Sequence, residues 1–297
     1  MAEQTASGVG PDRVDLVYER LGHRAAPPVL LIMGAGGQLI NWPDGLCAEL
    51  TGHGLQLIRF DGRDCGRSTH FDAAGRPDFA AALAGDLSSL AYTLTDLVAD
   101  TVGLMDILGL DNVHLVGASL GGMIAQAVAV AHPGRVRSLT SIMSTHGDRM
   151  TPPPLPGAAP AFPGPPPTTR ELYVARMVAG ASAGGVAADL EAVRAVAGRA
   201  WDRGWSLAGM LRQAASVIGS GDRREGLAGL AVPALVIHGA ADAVADPACG
   251  RATAQAIPGA EFLLVEGMGH GFPPGVWRQV SARIAALVHR AERHEPS

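Results

Sequence analysis

Five residues, Gly117-Ala118-Ser119-Leu120-Gly121, carry the strongest chemical signal in the sequence. They form a G-x-S-x-G between an apolar run at 113–116 and a helical pattern that begins at Leu120. A serine on a sharp strand-to-helix turn presents its hydroxyl as a nucleophile, and the small residues on either side let the helix pass close to the strand. A glycine-rich turn with an incidental serine has the same letters, but it needs neither the strand before nor the helix after. A helix that starts at Leu120 also aims that residue's N–H and the positive end of the helix dipole at a developing oxyanion. The chemistry expected of Ser119 is acyl transfer.

A serine nucleophile needs a base and an acid to orient it. His270, in Gly267-Met268-Gly269-His270-Gly271 just after the last apolar run, is the best-placed histidine. The alternatives are worse placed: His114 lies within a strand pattern, His132 precedes a helix-ending proline, and His289 and His294 fall in a charged C-terminal helix. Asp242, beyond the run 234–237, is the candidate acid, and Asp246 is its rival. Asp246 precedes Pro247, the usual arrangement of a helix N-cap, so a structural duty accounts for it. The order Ser, Asp, His along the chain differs from the orders found in chymotrypsin and subtilisin. A second oxyanion donor is expected from the backbone of Ala35, in Gly34-Ala35-Gly36-Gly37 after another apolar run. A dinucleotide loop is excluded there, because the third glycine of G-x-G-x-x-G would have to stand at Leu39.

These residues need a frame of strands and helices. Short apolar runs at 29–33, 55–60, 113–116, 136–142, 234–237 and 261–265 predict buried strands of a mostly parallel sheet. Helical patterns lie between them, one starting at a capping-box pair, Thr93 and Asp96, another running over 120–132 to Pro133. The alternation implies βαβ units. From 144 to 225 the rhythm breaks: a proline-rich stretch, 152–167, leads into Ala-rich helical segments. That stretch is expected to be a helical cap inserted between core segments 1–143 and 226–297.

Composition narrows the functions further. The chain has 297 residues, is 47% hydrophobic and only 17% charged, and carries a net charge of −5, which gives no reason to expect nucleic acid or an anionic membrane as partner. The expected partner is a small molecule. All 23 basic residues are arginine, so Schiff-base and P-loop lysine chemistry is impossible. Three widely spaced cysteines suggest no disulfide framework, and ten histidines never take a metal-ligand spacing. No cofactor and no metal are expected. The N-terminal residues are polar and no apolar run reaches ~18 residues, so a cytoplasmic location is expected. Oligomeric state is not legible.

The same residues resemble the α/β-hydrolase superfamily and, within it, the aclacinomycin methylesterase group of bacterial hydrolases. The likeness covers most of the chain outside the cap. It rests on Leu31-Ile32-Met33-Gly34 with Asn41-Trp42-Pro43, on the segment from Arg59 to Ser68, on the G-x-S-x-G and on Gly267-Met268-Gly269-His270. Many relatives have His-Gly where this chain has Met33-Gly34, a departure that leaves an amide-based hole intact. The resemblance implies an α/β-hydrolase fold with a mostly parallel central sheet, flanking helices and an inserted helical cap. It also implies Ser119, Asp242 and His270 as the catalytic set and the amides of Ala35 and Leu120 as oxyanion hole. The expected activity is cleavage of a carboxylic ester of a bulky, largely apolar molecule, with Phe162, Tyr173, Trp201 and Trp205 of the cap as candidate lining. A thioesterase, a lactonase or a non-catalytic ligand-binding protein of the same fold is the alternative.

Overall fold

The apolar runs become the inner strands of one eight-stranded sheet in a computed structural model that describes residues 2–147, 167–183 and 189–293. The strands are β1 (Gln4–Val9), β2 (Val14–Leu21), β3 (Pro28–Ile32), β4 (Gln56–Phe60), β5 (Val113–Ala118), β6 (Val136–Ile142), β7 (Ala234–Gly239) and β8 (Glu261–Val265). Their order across the sheet is β1-β2-β4-β3-β5-β6-β7-β8. From β4 to β8 all neighbours are parallel, while β2 runs antiparallel to both β1 and β4. All six expected strands form, most ending within two residues of their expected bounds. β1 and β2 were not legible: Gln4, Thr5, Ser7 and Gly8 interrupt the first, and Asp15, Glu19 and Arg20 break any clean alternation in the second.

Among the described residues ten α-helices follow in chain order: α1 (Asp44–Gly52), α2 (Phe79–Leu83), α3 (Leu94–Ile107), α4 (Leu120–Ala131), α5 (Arg170–Ala183), α6 (Leu190–Asp202), α7 (Leu207–Ala215), α8 (Arg224–Ala228), α9 (Pro247–Ala256) and α10 (Trp277–Arg293). The caps are the expected ones. Thr93 and Asp96 close a capping box on α3, Pro133 follows the end of α4, and Asp246 accepts from the Ala248 N–H at the start of α9. Parallel strands must be covered on both faces. On one face Leu30, Ile32 and Leu115 pack with Leu104 of α3 and Ile124 of α4. On the other, Leu31, Val116 and Leu235 pack with Leu46 of α1 and Val280, Ile284 and Leu287 of α10.

Helices α5 to α8 lie between β6 and β7, and no strand occurs there among the described residues. Most of the proline-rich run, with Phe162, lies outside the described residues. Tyr173, Trp201 and Trp205 stack on one another, with ring centroids 4.3–5.9 Å apart, and join Val17, Leu39 and Ile40 in one apolar cluster. They fasten the inserted helices to the core, so their first duty is packing. Buried arginines add directional ties: Arg203 pairs with Asp61 and Glu3, and Arg212 forks onto both oxygens of Asp64 at 2.6 and 2.8 Å. The planar guanidinium suits such two-pronged pairing, and a chain without lysine has no other permanent cation to bury. Among the described residues no helix is long and apolar enough to cross a membrane.

Candidate active site

The sheet brings its functional loops together at the C-terminal ends of β3, β5, β7 and β8, where parallel strands leave a crevice. Ser119 is the single residue between β5 and α4, and its backbone sits at φ 55° and ψ −120°, a strained conformation for a side chain with a Cβ. Its own N–H donates to Ile142 O at 2.9 Å, and the Ser144 hydroxyl donates to Ser119 O at 2.8 Å, so neighbouring backbone holds the strained turn. The flanking glycines are required by contact: a Cβ on Gly117 would lie 2.1 Å from Gly121 O, and one on Gly121 would lie 2.0 Å from Ile32 O. Helix, turn and two strands could not approach this closely with any larger residue.

His270 stands in the loop after β8, with Nε2 3.1 Å from Ser119 Oγ and Nδ1 2.8 Å from Asp242 Oδ2. The three side chains come from points 28 and 151 residues apart, yet form one continuous chain of hydrogen bonds. The imidazole is 21% exposed, while the carboxylate is wholly buried. A buried carboxylate must have its oxygens occupied. Oδ1 accepts from the Val244 and Ala245 N–H groups, each at 2.9 Å, and Oδ2 faces His270 and, at 3.3 Å, Nε2 of His238. Burial alone would push this carboxyl up. The hydrogen bonds from His238, His270 and Ala245 outweigh it and hold Asp242 well below the usual carboxylate range. Asp242 therefore does have a local turn to brace, which the sequence did not disclose, as well as the histidine to orient. Asp246 serves its helix.

The loop expected to supply a second oxyanion donor lies beside the serine, since a Cβ on Gly34 would stand 3.0 Å from Ser119 Cβ. Leu120 opens α4, so its N–H has no carbonyl partner within the helix. Ser119, His270 and Asp242 thus meet directly, and the loop that carries Ala35 and the head of α4 at Leu120 lie beside them. Such an arrangement can transfer a proton from Ser119 Oγ to His270 and can offer backbone N–H groups to a negative oxygen. Three contributors went unnoticed: Ser144, His238 and Gln213, whose side chain on α7 bonds to the Gly36 N–H at 2.7 Å. His238 lies at the end of β7, four residues before Asp242, and that position was the one available signal. Gln213 had none.

Among the described residues, the one cluster that could present three ligand atoms to a metal ion is Asp64, His70 and Asp72. Arg212 already bonds to both aspartates, so a guanidinium holds the place a metal would take. The three cysteines are free and buried.

A family model described as the alpha/beta hydrolase fold matches residues 27–273. The rhodomycin D methylesterase DauP of Streptomyces sp. (strain C5) is 29% identical, the match covering 94% of this chain and 97% of the relative. Rhodomycin D methylesterase DnrP of Streptomyces peucetius is 28% identical over the same shares. Among solved structures, the enol-lactonase from Burkholderia xenovorans LB400 superposes with a TM-score of 0.65 at 24% identity, covering 98% of this chain and all of that one. The fold is shared; the substrates named for these proteins differ.

Proposed function

We propose that this chain, which belongs to the α/β-hydrolase fold family, is a serine esterase that cleaves a carboxylic ester of a bulky, largely apolar acid, with a methyl ester as the favoured substrate. The observation that carries the mechanism is the hydrogen-bonded line from Ser119 through His270 to Asp242, anchored on a strained strand-to-helix turn. Ser119 Oγ attacks the ester carbonyl carbon as its proton passes to His270 Nε2, and the carbonyl oxygen becomes an oxyanion facing the Ala35 and Leu120 N–H groups. Collapse breaks the carbon–oxygen bond to the alcohol, which leaves with the proton from His270. Water then attacks the acyl-enzyme under the same base, releasing the acid and restoring Ser119. Asp242 keeps Nδ1 of His270 protonated and the ring aimed at the serine. No step calls for a cofactor or a metal.

Support for the substrate comes from the two methylesterase relatives, each aligned over nearly its whole length. It does not come from the cap aromatics, which pack against the core. The test has two parts. A fluorophosphonate should label Ser119 and no other residue, read by peptide mass. Then kcat/KM should be compared for methyl esters of polycyclic acids, short p-nitrophenyl esters, acyl thioesters and lactones. A wide preference for a thioester or small lactone would replace the methylesterase assignment while leaving the serine chemistry in place; no labelling would remove both.

A further inference from the structure

We propose that Gln213, on α7 of the inserted helices, is a positioning residue that sets the conformation of the oxyanion loop, so that turnover depends on the cap being docked. The inference rests on the role read above for the Ala35 N–H. Residues 34–37 form a tight turn in which the Gly37 N–H donates to Gly34 O at 2.9 Å and Gly36, the third residue, has φ 70°. A turn of type II needs that positive φ. The Gly37 bond engages the carbonyl of the Gly34–Ala35 peptide. In a planar trans peptide the N–H points opposite to the carbonyl, so the Ala35 N–H is turned away from the inside of the turn.

The following peptide, Ala35–Gly36, is held from outside the loop. Its N–H donates to Gln213 Oε1 at 2.7 Å. The same side chain donates from Nε2 to Arg63 O at 2.7 Å and receives the Cys65 thiol at 3.4 Å on Oε1. Gly36 N–H can only donate and Arg63 O can only accept, so the amide has a single orientation here. Gln213 is 5% exposed, and with Gly34, Gly37 and Leu120 it lines a small cavity beside the head of α4. Met210, on the same helix, packs onto Gly36 so closely that a Cβ there would stand 2.6 Å from its Cγ. One helix of the insertion thus both covers the turn and fixes its amide. Arg203 and Arg212 anchor the insertion elsewhere, at Asp61 and Asp64. If the Gln213 acceptor is removed, the Gly36 N–H keeps only the Cys65 sulfur, a weak acceptor, and the Ala35–Gly36 peptide is freer to rotate, carrying the neighbouring Ala35 N–H off its line.

The experiment compares Gln213→Met and Gln213→Glu with the wild type, using ester kinetics, inhibition by an aryl trifluoromethyl ketone and thermal midpoint. For Gln213→Met, kcat should fall about 10- to 100-fold, less than for outright loss of an oxyanion donor, with KM within about threefold. Ketone affinity should fall by the same factor as kcat/KM, because the adduct resembles the transition state. Gln213→Glu keeps the acceptor for Gly36 and should retain kcat within about threefold, which also decides the matter if the methionine variant fails to fold. A folded Gln213→Met protein with wild-type kcat, raised KM and a lowered midpoint would make Gln213 a mere cap anchor and overturn the proposal. So would a folded Gln213→Glu protein as impaired as a loss of the whole side chain. Fluorophosphonate labelling of the wild type separates this failure from that of the esterase reading: labelled Ser119 with an unimpaired Gln213→Met variant sinks the positioning role alone.

Discussion

Among the described residues two serine–histidine–carboxylate sets sit at opposite ends of the same strand, and only one has the geometry of the proposed serine chemistry. At the C-terminal end of β5, Ser119 occupies a strained turn beside a helix N-terminus, and His270 is partly open to solvent. At the N-terminal end, His114 bonds to Ser138 Oγ at 2.8 Å through Nδ1 and to Glu292 at 3.0 Å through Nε2. Ser138 is paired with His114 within the sheet, is 1% exposed, and lies inside β6 beside a register irregularity at Arg137. His114 is wholly buried, and burial pushes its pKa down to about 4 although Glu292 pulls it up. The second set fastens α10 to the sheet through Glu292, which Arg137 also grips. Residue types and hydrogen-bond lengths are nearly the same in the two places. What differs is access for a substrate, a hydroxyl thrust out on a turn, and free N–H groups to receive an oxyanion.

The contrast can be broken by substitution. Ser119→Ala should lower hydrolysis by about 10⁴-fold or more with the fold retained, whereas Ser138→Ala should leave turnover within about threefold and lower stability by about 1 kcal/mol. Steady-state rates and chemical denaturation of the pair decide it; turnover lost in Ser138→Ala at full stability would erase the distinction. Next in size, Asp242→Asn should lose about 10³- to 10⁴-fold in kcat, because an asparagine would favour the wrong tautomer of His270. Equal losses in Asp246→Asn would move the orienting role to the cap residue.

Stability should also depend on pH through the buried His114. Native His114 stays uncharged down to about pH 4, while in the unfolded chain an imidazole takes a proton below about 6.5. Because the unfolded state binds the proton first, stability is full above about 6.5 and falls as pH drops towards 4, by about 2–3 kcal/mol. Denaturant midpoints measured across that range should show the limb in the wild type and a flattened one in His114→Gln. Hydrolysis by His114→Gln should instead stay within about threefold of the wild type across the same range, since His114 lies at the end of β5 away from Ser119. The smallest effect expected is at the N-cap: Asp246→Ala should lower stability by about 1 kcal/mol and leave kcat near that of the wild type, read by thermal melts and rates on the same sample.

The sequence alone singled out Ser119, Asp242, His270, Ala35 and Leu120, each from a local pattern whose physics is short-ranged, and the fold brings the first three into one hydrogen-bonded line. An apolar run followed by G-x-S-x-G makes a strand, a turn and a helix wherever it folds, and Asp246-Pro247 caps a helix for the same reason. The inner parallel strands were legible as well, since burial on both faces demands continuous apolar runs. The antiparallel β1 and β2 lie at one side of the sheet and tolerate polar residues, so their pattern was lost. Only the tertiary structure decided which partners meet across long stretches of chain. The contact of His238 with Asp242, the grip of Arg212 on Asp64 148 residues away, the packing of Tyr173, Trp201 and Trp205, and the reach of Gln213 to Gly36 across 177 residues depend on how helices dock. A glutamine in a small amphipathic helix carries no mark of what it will touch, because hydrogen-bond partners are set by the closing of the fold and not by neighbours in sequence.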